Sequence, residues 1–225
     1  MTNINKGTPL FFTMIKIYLT RHSKTQWNEE KRLQGRKDSS LTQEGIENAH
    51  ALKEYISHMR FDYIYSSPIL RAYKTAKIIF DNQNIIQDNR LMEMNFGIFE
   101  GQKITDILKE NHDLYYQLWH EPEKFTCIPE GESYGQVIER VHSFLKDIQQ
   151  LPDHSQIMII THGMYFIVLL ATMLGLEKKE FVKLNQKVVD GCSLTCVLYD
   201  HGVYTLDFYN ECSFLPHIAN ESFSK

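Results

Sequence analysis

Ile15-Lys16-Ile17-Tyr18-Leu19-Thr20-Arg21-His22 and Ile157-Met158-Ile159-Ile160-Thr161-His162-Gly163 decide the fold of this 225-residue chain. Each is an apolar, largely β-branched run that gives way to a histidine, so both read as strands with a histidine at the carboxyl end. Open α/β sheets bind ligands beyond the carboxyl ends of their strands. Imidazole is the side chain suited to nucleophilic attack or proton transfer near neutral pH. Two histidines leaving one sheet edge therefore point to chemistry at that edge.

Outward from these strands, the sequence alternates. Leu41-Thr42 opens a helix with Ile46, Ala49, Leu52 and Ile56 on one face and Thr42 as its N-cap. Tyr63 to Ser66 reads as a short strand, and Pro68 as the start of a helix carrying Ala72, Ala76 and Ile79. Ser133 caps a helix with Val137, Val141, Phe144 and Ile148. Met164 to Leu174 is a buried helix that stops at Gly175. Leu194 to Tyr199 and Val203 to Tyr209 form a hairpin around Asp200-His201-Gly202. This order predicts an α/β fold, a three-layer α/β/α sandwich with a mostly parallel central sheet. The expected organisation is one domain over residues 1–225, with a flexible extension at 1–13 and a small helical cap insertion at 101–129. Met14 is an alternative natural start.

A net charge of −4 with 43% hydrophobic residues gives no global attraction to nucleic acid or to acidic membranes. An anion site must then be a local concentration of Arg, His and backbone N–H groups. The apolar run from Met164 is too short to span a bilayer, which takes about 20 residues. Cys127, Cys192, Cys196 and Cys212 form no C-x-x-C pair or zinc-ligand set, so buried or half-buried thiols in a reducing, cytoplasmic setting are expected. The C-terminal hairpin is either a covered or a pairing edge, which leaves monomer and homodimer open.

Three strand ends converge in this reading, carrying Arg21-His22, Arg71 and His162-Gly163. Their helices and loops offer backbone N–H groups, and arginine forks suit phosphate. One histidine is placed to attack phosphorus while the other and the arginines balance equatorial charge. Glu93, among apolar neighbours, is the expected acid, kept protonated by desolvation. Taken singly, each has a structural explanation: a surface salt bridge for Arg21-His22, a solvated helix residue for Arg71, a capping charge for Glu93, a packed polar residue for His162. Their joint order favours the functional reading. The eight other histidines read as surface residues.

Arg21-His22-Ser23-Lys24-Thr25-Gln26-Trp27-Asn28 resembles the R-H-G-x-T-x-x-N signature of the histidine phosphatase superfamily. Leu33 to Gly45 is similar to its L-Q-G-x-x-D-x-P-L-T-x-x-G stretch, and Ser66 to Ala76 to its S-S-x-L-x-R-A-x-x-T-A block. Glu93 to Gly101 matches E-x-x-F-G-x-x-E-G, Pro129 to Ser133 matches P-x-G-E-S, and Thr161-His162-Gly163 matches the second histidine motif. The resemblance, over about Ile15 to Tyr209, implies phosphorylation of His22 followed by hydrolysis of the phosphohistidine. It further implies a phosphate pocket of Arg21, Arg71 and His162, a side-chain contact from Asn28, and Glu93 as proton donor and then base. Thr25, Gln34 and Gly163 complete the expected substrate-binding set, with Thr25 and Gln34 equally able to hold the loop in shape, and the resemblance implies no metal and no cofactor.

Ser23 stands where the family has glycine, which would strain a backbone with positive φ and slow turnover. Lys24 reads as solvated, and Ser40, where proline is common, as a change in loop stiffness. The F-T-G-W stretch and arginine-rich insertion typical of cofactor-dependent phosphoglycerate mutases are missing, so hydrolysis of a small phosphorylated metabolite is expected. The alternatives are a mutase-type phosphotransferase and a low-turnover phosphate-binding protein. Tyr115, Tyr116, Trp119 and Phe125 in the cap either contact an apolar leaving group or pack the cap onto the sheet.

Overall fold

Alternate residues of the two deciding strands turn to opposite sides of one sheet. In the computed structural model, which describes residues 14–185 and 189–217, Ile15, Ile17 and Leu19 share one apolar cluster with Ile157 and Ile159. Tyr18 shares the other with Met158 and Ile160. This period of two is what a strand covered on both faces requires. The extension at residues 1–13 lies outside the described residues.

Six strands make the sheet: β1 (Ile15–Arg21), β2 (Tyr63–Ser66), β3 (Ile86–Gln87), β4 (Gln156–Thr161), β5 (Leu194–Asp200) and β6 (Val203–Glu211), in the order β3-β2-β4-β1-β5-β6. β1, β2, β3 and β4 run parallel, while β5 pairs antiparallel with β1 and β6 with β5. The sheet is therefore mixed, its parallel part carrying the site. The hairpin turns on two residues, with Asp200 paired to Val203 and positive φ at His201 (45°) and Gly202 (89°), as a tight hairpin demands. β3 escapes sequence reading because two residues show no periodicity.

Helices α2 (Gln43–Tyr55) and α3 (Leu70–Ile79) cover one face through Ala49, Leu52, Ala72, Ala76 and Ile79. On the other face lie α6 (Tyr134–Ile148) and α7 (Gly163–Met173), giving the three layers. Thr42 caps α2 by accepting from Gly45 N, and Ser133 caps α6 in a reciprocal box with Gln136. α3 begins at Leu70, two residues later than Pro68, because Ile69 holds the extended conformation of an N-cap. Ten of the eleven residues of α7 are buried, which explains its unbroken apolar sequence without a bilayer. At its end Gly175 (φ 65°) donates to Thr172 O and Leu176 N to Ala171 O, a Schellman motif. Among the described residues no helix is long and apolar enough to cross a membrane.

The segment 101–129 contains α4 (Ile104–Glu110) and α5 (His112–His120). Ile107, Tyr115, Leu118, Trp119 and Phe125 join the apolar cluster of α6 and α7, so the aromatic residues of this insertion mainly pack. Tyr116 is the exposed one.

Candidate active site

β1 and β4 pair in parallel with Arg21 opposite Thr161. The next residues, His22 and His162, must then lie side by side, and their ring centroids are 5.2 Å apart. Both are buried. His22 Nδ1 lies 2.7 Å from Ser23 O, an atom that only accepts, so Nδ1 carries the proton. Arg71 Nε, which only donates, is 3.1 Å from His22 Nε2, so Nε2 holds the lone pair. Burial, then Arg71 and Arg21, push the His22 imidazole well below its usual range. His22 is thus a neutral imidazole in one fixed tautomer, and it lines a cleft. His162 is likewise driven well below its ordinary value, by burial first and then Arg71.

Arg71, at the start of α3, is 1% exposed, and its whole fork is engaged. Nη2 donates to Gly35 O (2.6 Å), and Nη1 to Lys37 O (2.8 Å) and Asp38 Oδ1 (3.2 Å). It ties the 35–38 loop to His22. Glu100 holds the same loop from the other side, accepting from Arg36 N, Lys37 N and Phe96 N. Gly35 has φ 56°, and a Cβ there would lie 2.1 Å from Glu100 Oε1, so only glycine fits.

Glu93 differs from the isolated, desolvated carboxyl that its apolar neighbours suggest. Oε1 accepts from Met94 N (2.8 Å) and Tyr165 N (2.9 Å), and Oε2 from Met164 N (3.1 Å). A carboxylate is acceptor-only, and two N–H donors at the positive end of α7 together with the adjacent Met94 N–H suit that form. The segment carrying it is braced by Arg140, which donates to Arg90 O and Met92 O, grips Glu132 with two nitrogens and lies over the Tyr165 ring. Glu132 also accepts from Asn95 N, and a Cβ on Gly97 would lie 2.0 Å from Pro129 O. The P-x-G-E-S and F-G motifs therefore act here by positioning Glu93.

Of the expected site residues, Arg21, His22, Asn28, Gln34, Arg71, Glu93 and Gly163 line the cleft. His162 stands behind the wall. Its Nε2 is 2.7 Å from Ser67 Oγ, and its buried Nδ1 has no partner among the described residues. Thr25 is not on the wall either: it caps α1 (Gln26–Glu29), its hydroxyl donating to Asn28 Oδ1 (2.9 Å). That turns the Asn28 oxygen inward, so the amide nitrogen is the end left for a ligand. The expected free amides are mostly used, with Arg71 N on Asp38, Ser23 N on Thr75 Oγ1, and Met164 N and Tyr165 N on Glu93.

Ser23 carries no positive φ, so the expected strain is absent. Its hydroxyl donates to Gly45 O at 2.6 Å. Lys24, expected to be solvated, pairs with Glu44 (2.6 Å) and Glu29 (3.2 Å). Cys127 is exposed, whereas the other three thiols are buried or half-buried. His120 and His217 are half-buried, and the other six outlying histidines are exposed. Arg32, Leu33, Gly35, Phe96, Trp119 and Met164 complete the cleft. Sequence reading passed over Arg32 because it falls between two motifs. Among the described residues no three His, Cys, Asp or Glu side chains gather as metal ligands.

The profile of the histidine phosphatase superfamily (branch 1) matches residues 17–212. A relative from Yersinia pestis (strain Pestoides F), named "Probable phosphoglycerate mutase GpmB", is 36% identical over 188 residues, 83% of this chain and 86% of its own. YhfR of Bacillus stearothermophilus superposes with a TM-score of 0.83 at 28% identity, over 89% of this chain and 99% of that one. A phosphoserine phosphatase variant from Entamoeba histolytica, solved in complex with phosphoserine, gives 0.77 at 26% identity, over 89% and 99%. With nearly all of the described strands and helices inside the matched span, this chain belongs to the histidine phosphatase superfamily.

Proposed function

We propose that the protein is a metal-independent phosphomonoester hydrolase that works through a phosphohistidine on His22. The observation that carries this reading is the Nε2 lone pair of a neutral His22, fixed beside Arg71 in a cleft also lined by Arg21 and Glu93. In the first step Nε2 gives up the hydrogen bond from Arg71 Nε and bonds to phosphorus, the ester P–O bond breaks and the leaving oxygen takes a proton. In the second, water attacks phosphorus, the P–N bond breaks and Glu93 Oε2 takes the water proton. Arg21 and Arg71 face the charge that spreads over the equatorial oxygens, and the orphan Nδ1 of His162 suits a further contact. Since both Glu93 oxygens already accept amides, its role as base is better supported than its role as acid. The first proton then comes from Glu93 or from the phosphate monoanion.

The substrate in this reading is a small phosphorylated metabolite. Nucleic acid and membranes are not expected partners, and four unbridged thiols support a reducing, cytoplasmic setting. The test is hydrolysis of p-nitrophenyl phosphate with EDTA present, by the wild type and by His22→Ala. Activity lost in the variant and retained in chelator supports the reading, and the opposite pattern overturns it. The Yersinia relative's name favours a second reading, transfer between phosphoglycerates. Efficient isomerisation of phosphoglycerate on adding bisphosphoglycerate, with little free phosphate, would establish that instead.

A further inference from the structure

We propose that Arg32 selects phosphomonoesters whose leaving group carries a carboxylate, an inference that rests on the phosphatase reading above. A phosphate at His22 would meet Arg21 and Arg71 on the wall of the same cleft. Arg32 is a third guanidinium on the same cleft, and its side chain is 32% exposed, where Arg71 is sealed inside. Its head is fixed, with Nη1 donating to Gly101 O (2.9 Å) and Nε to Glu30 Oε2 (2.6 Å). Nη2 has no partner among the described residues. The Glu30 carboxylate is itself about half exposed, at 47%, so water screens that pair and the cation stays available to an incoming anion.

Beside the charged groups and the polar Asn28 and Gln34, part of the wall is apolar. Leu33, Phe96, Trp119 and Met164 line the cleft together with Arg32, so a leaving group with a hydrocarbon body and one anionic end meets both chemistries. With Nε and Nη1 already engaged, Arg32 offers Nη2 to one anionic oxygen, and a carboxylate, with a single negative charge, costs less to desolvate beside the Glu30 carboxylate than a phosphate dianion does.

Phenyl phosphate and 4-carboxyphenyl phosphate present the same ring with and without that carboxylate, and 1,4-phenylene bisphosphate supplies the phosphate alternative. The expected result is a kcat/KM for the carboxyphenyl ester about tenfold above the phenyl ester, carried by KM, as one charge-assisted hydrogen bond provides. In Arg32→Gln the ratio falls to near one, and Arg32→Lys recovers part of it. A wild-type ratio near one, or a ratio untouched in Arg32→Gln, overturns the inference while hydrolysis itself stands. A higher kcat/KM for the bisphosphate than for the carboxyphenyl ester also overturns it. If no ester is hydrolysed, the phosphatase reading fails. The same three compounds titrated calorimetrically into His22→Ala then decide the inference by affinity alone, equal Kd values for the phenyl and carboxyphenyl esters counting against it.

Discussion

Two neutral histidines buried at the end of β1 and β4 make the stability of this protein depend on pH in a calculable way. His22 and His162 are 2% and 0% exposed, and burial holds both well below the ordinary histidine range. In the unfolded chain each regains a pKa of about 6.5. As pH falls through that value the unfolded state binds protons that the native state refuses, so stability falls with falling pH and is recovered above about 6.5. With both rings neutral in the native protein from pH 7.5 to 5.5, each contributes a loss of about 1.4 kcal/mol over that window, or about 2.7 kcal/mol together. Urea unfolding at the two pH values, in the wild type and in His22→Gln, measures this. The variant should lose only about 1.4 kcal/mol from the remaining histidine, and the subtraction cancels the other titrating groups. Identical pH losses in the two proteins would show that His22 protonates as readily folded as unfolded. Its Nε2 lone pair would then not be held ready for attack, and the nucleophile assignment would fail with it.

Three further substitutions, with a fourth as control, probe the supports of the site. Glu93→Gln removes a charge that three backbone amides address; unfolding free energy should drop by about 1–3 kcal/mol and kcat by about 10²–10⁴-fold, and an unchanged kcat would remove Glu93 from proton transfer. Gly45→Ala would place a Cβ 2.2 Å from Lys24 O, so a loss of about 1–3 kcal/mol with impaired turnover is expected. Gly135→Ala, whose nearest neighbour would be 3.6 Å away, is the control and should change stability little or raise it; equal effects in a thermal melt would refute the close-approach reading. Ser23→Ala deletes the donor to Gly45 O and should cost about 1 kcal/mol in denaturant unfolding, whereas no cost would make that hydroxyl idle.

The parts of the site legible in the sequence are those fixed by periodicity and strand register. Two apolar runs, each ending in histidine, were enough to place His22 beside His162, because parallel strands in register bring equivalent positions together. The capping of α2 by Thr42 and α6 by Ser133 was equally local. What stayed hidden is non-local pairing with backbone atoms. Arg71 spends its fork on Gly35 O and Lys37 O, more than thirty residues away, and Glu93 meets amides more than seventy residues on. Carbonyls and amides look the same at every position, so no residue type announces such partners. Ser23 was misread for a related reason: glycine at that place suggests positive φ, yet the chain there stays in ordinary backbone space and the hydroxyl finds an acceptor.

The amino end of α7 shows how the site divides its electrostatic resources. A helix N-terminus is an anion seat, and the sequence invited phosphate into it. Glu93 already occupies two of its first amides, leaving Gly163 N–H as the first-turn donor that Glu93 does not engage. The helix dipole therefore acts chiefly on the Glu93 carboxyl at the cleft, the group proposed to receive a proton. In the proposed mechanism, attraction for phosphate falls to Arg21 and Arg71 instead. Arg71 is nonetheless bound to two carbonyls and an aspartate, so it cannot swing toward a ligand without releasing the 35–38 loop. Phosphate must come to a guanidinium already in place, and the cost of ordering that side chain is met during folding rather than at binding. The proposed geometry of attack then depends on the loop that carries Gly35, which Glu100 anchors to the segment bearing Glu93. His22, Arg71 and Glu93 are thus tied together through the 35–38 loop, Glu100 and the backbone from Glu93 to Phe96.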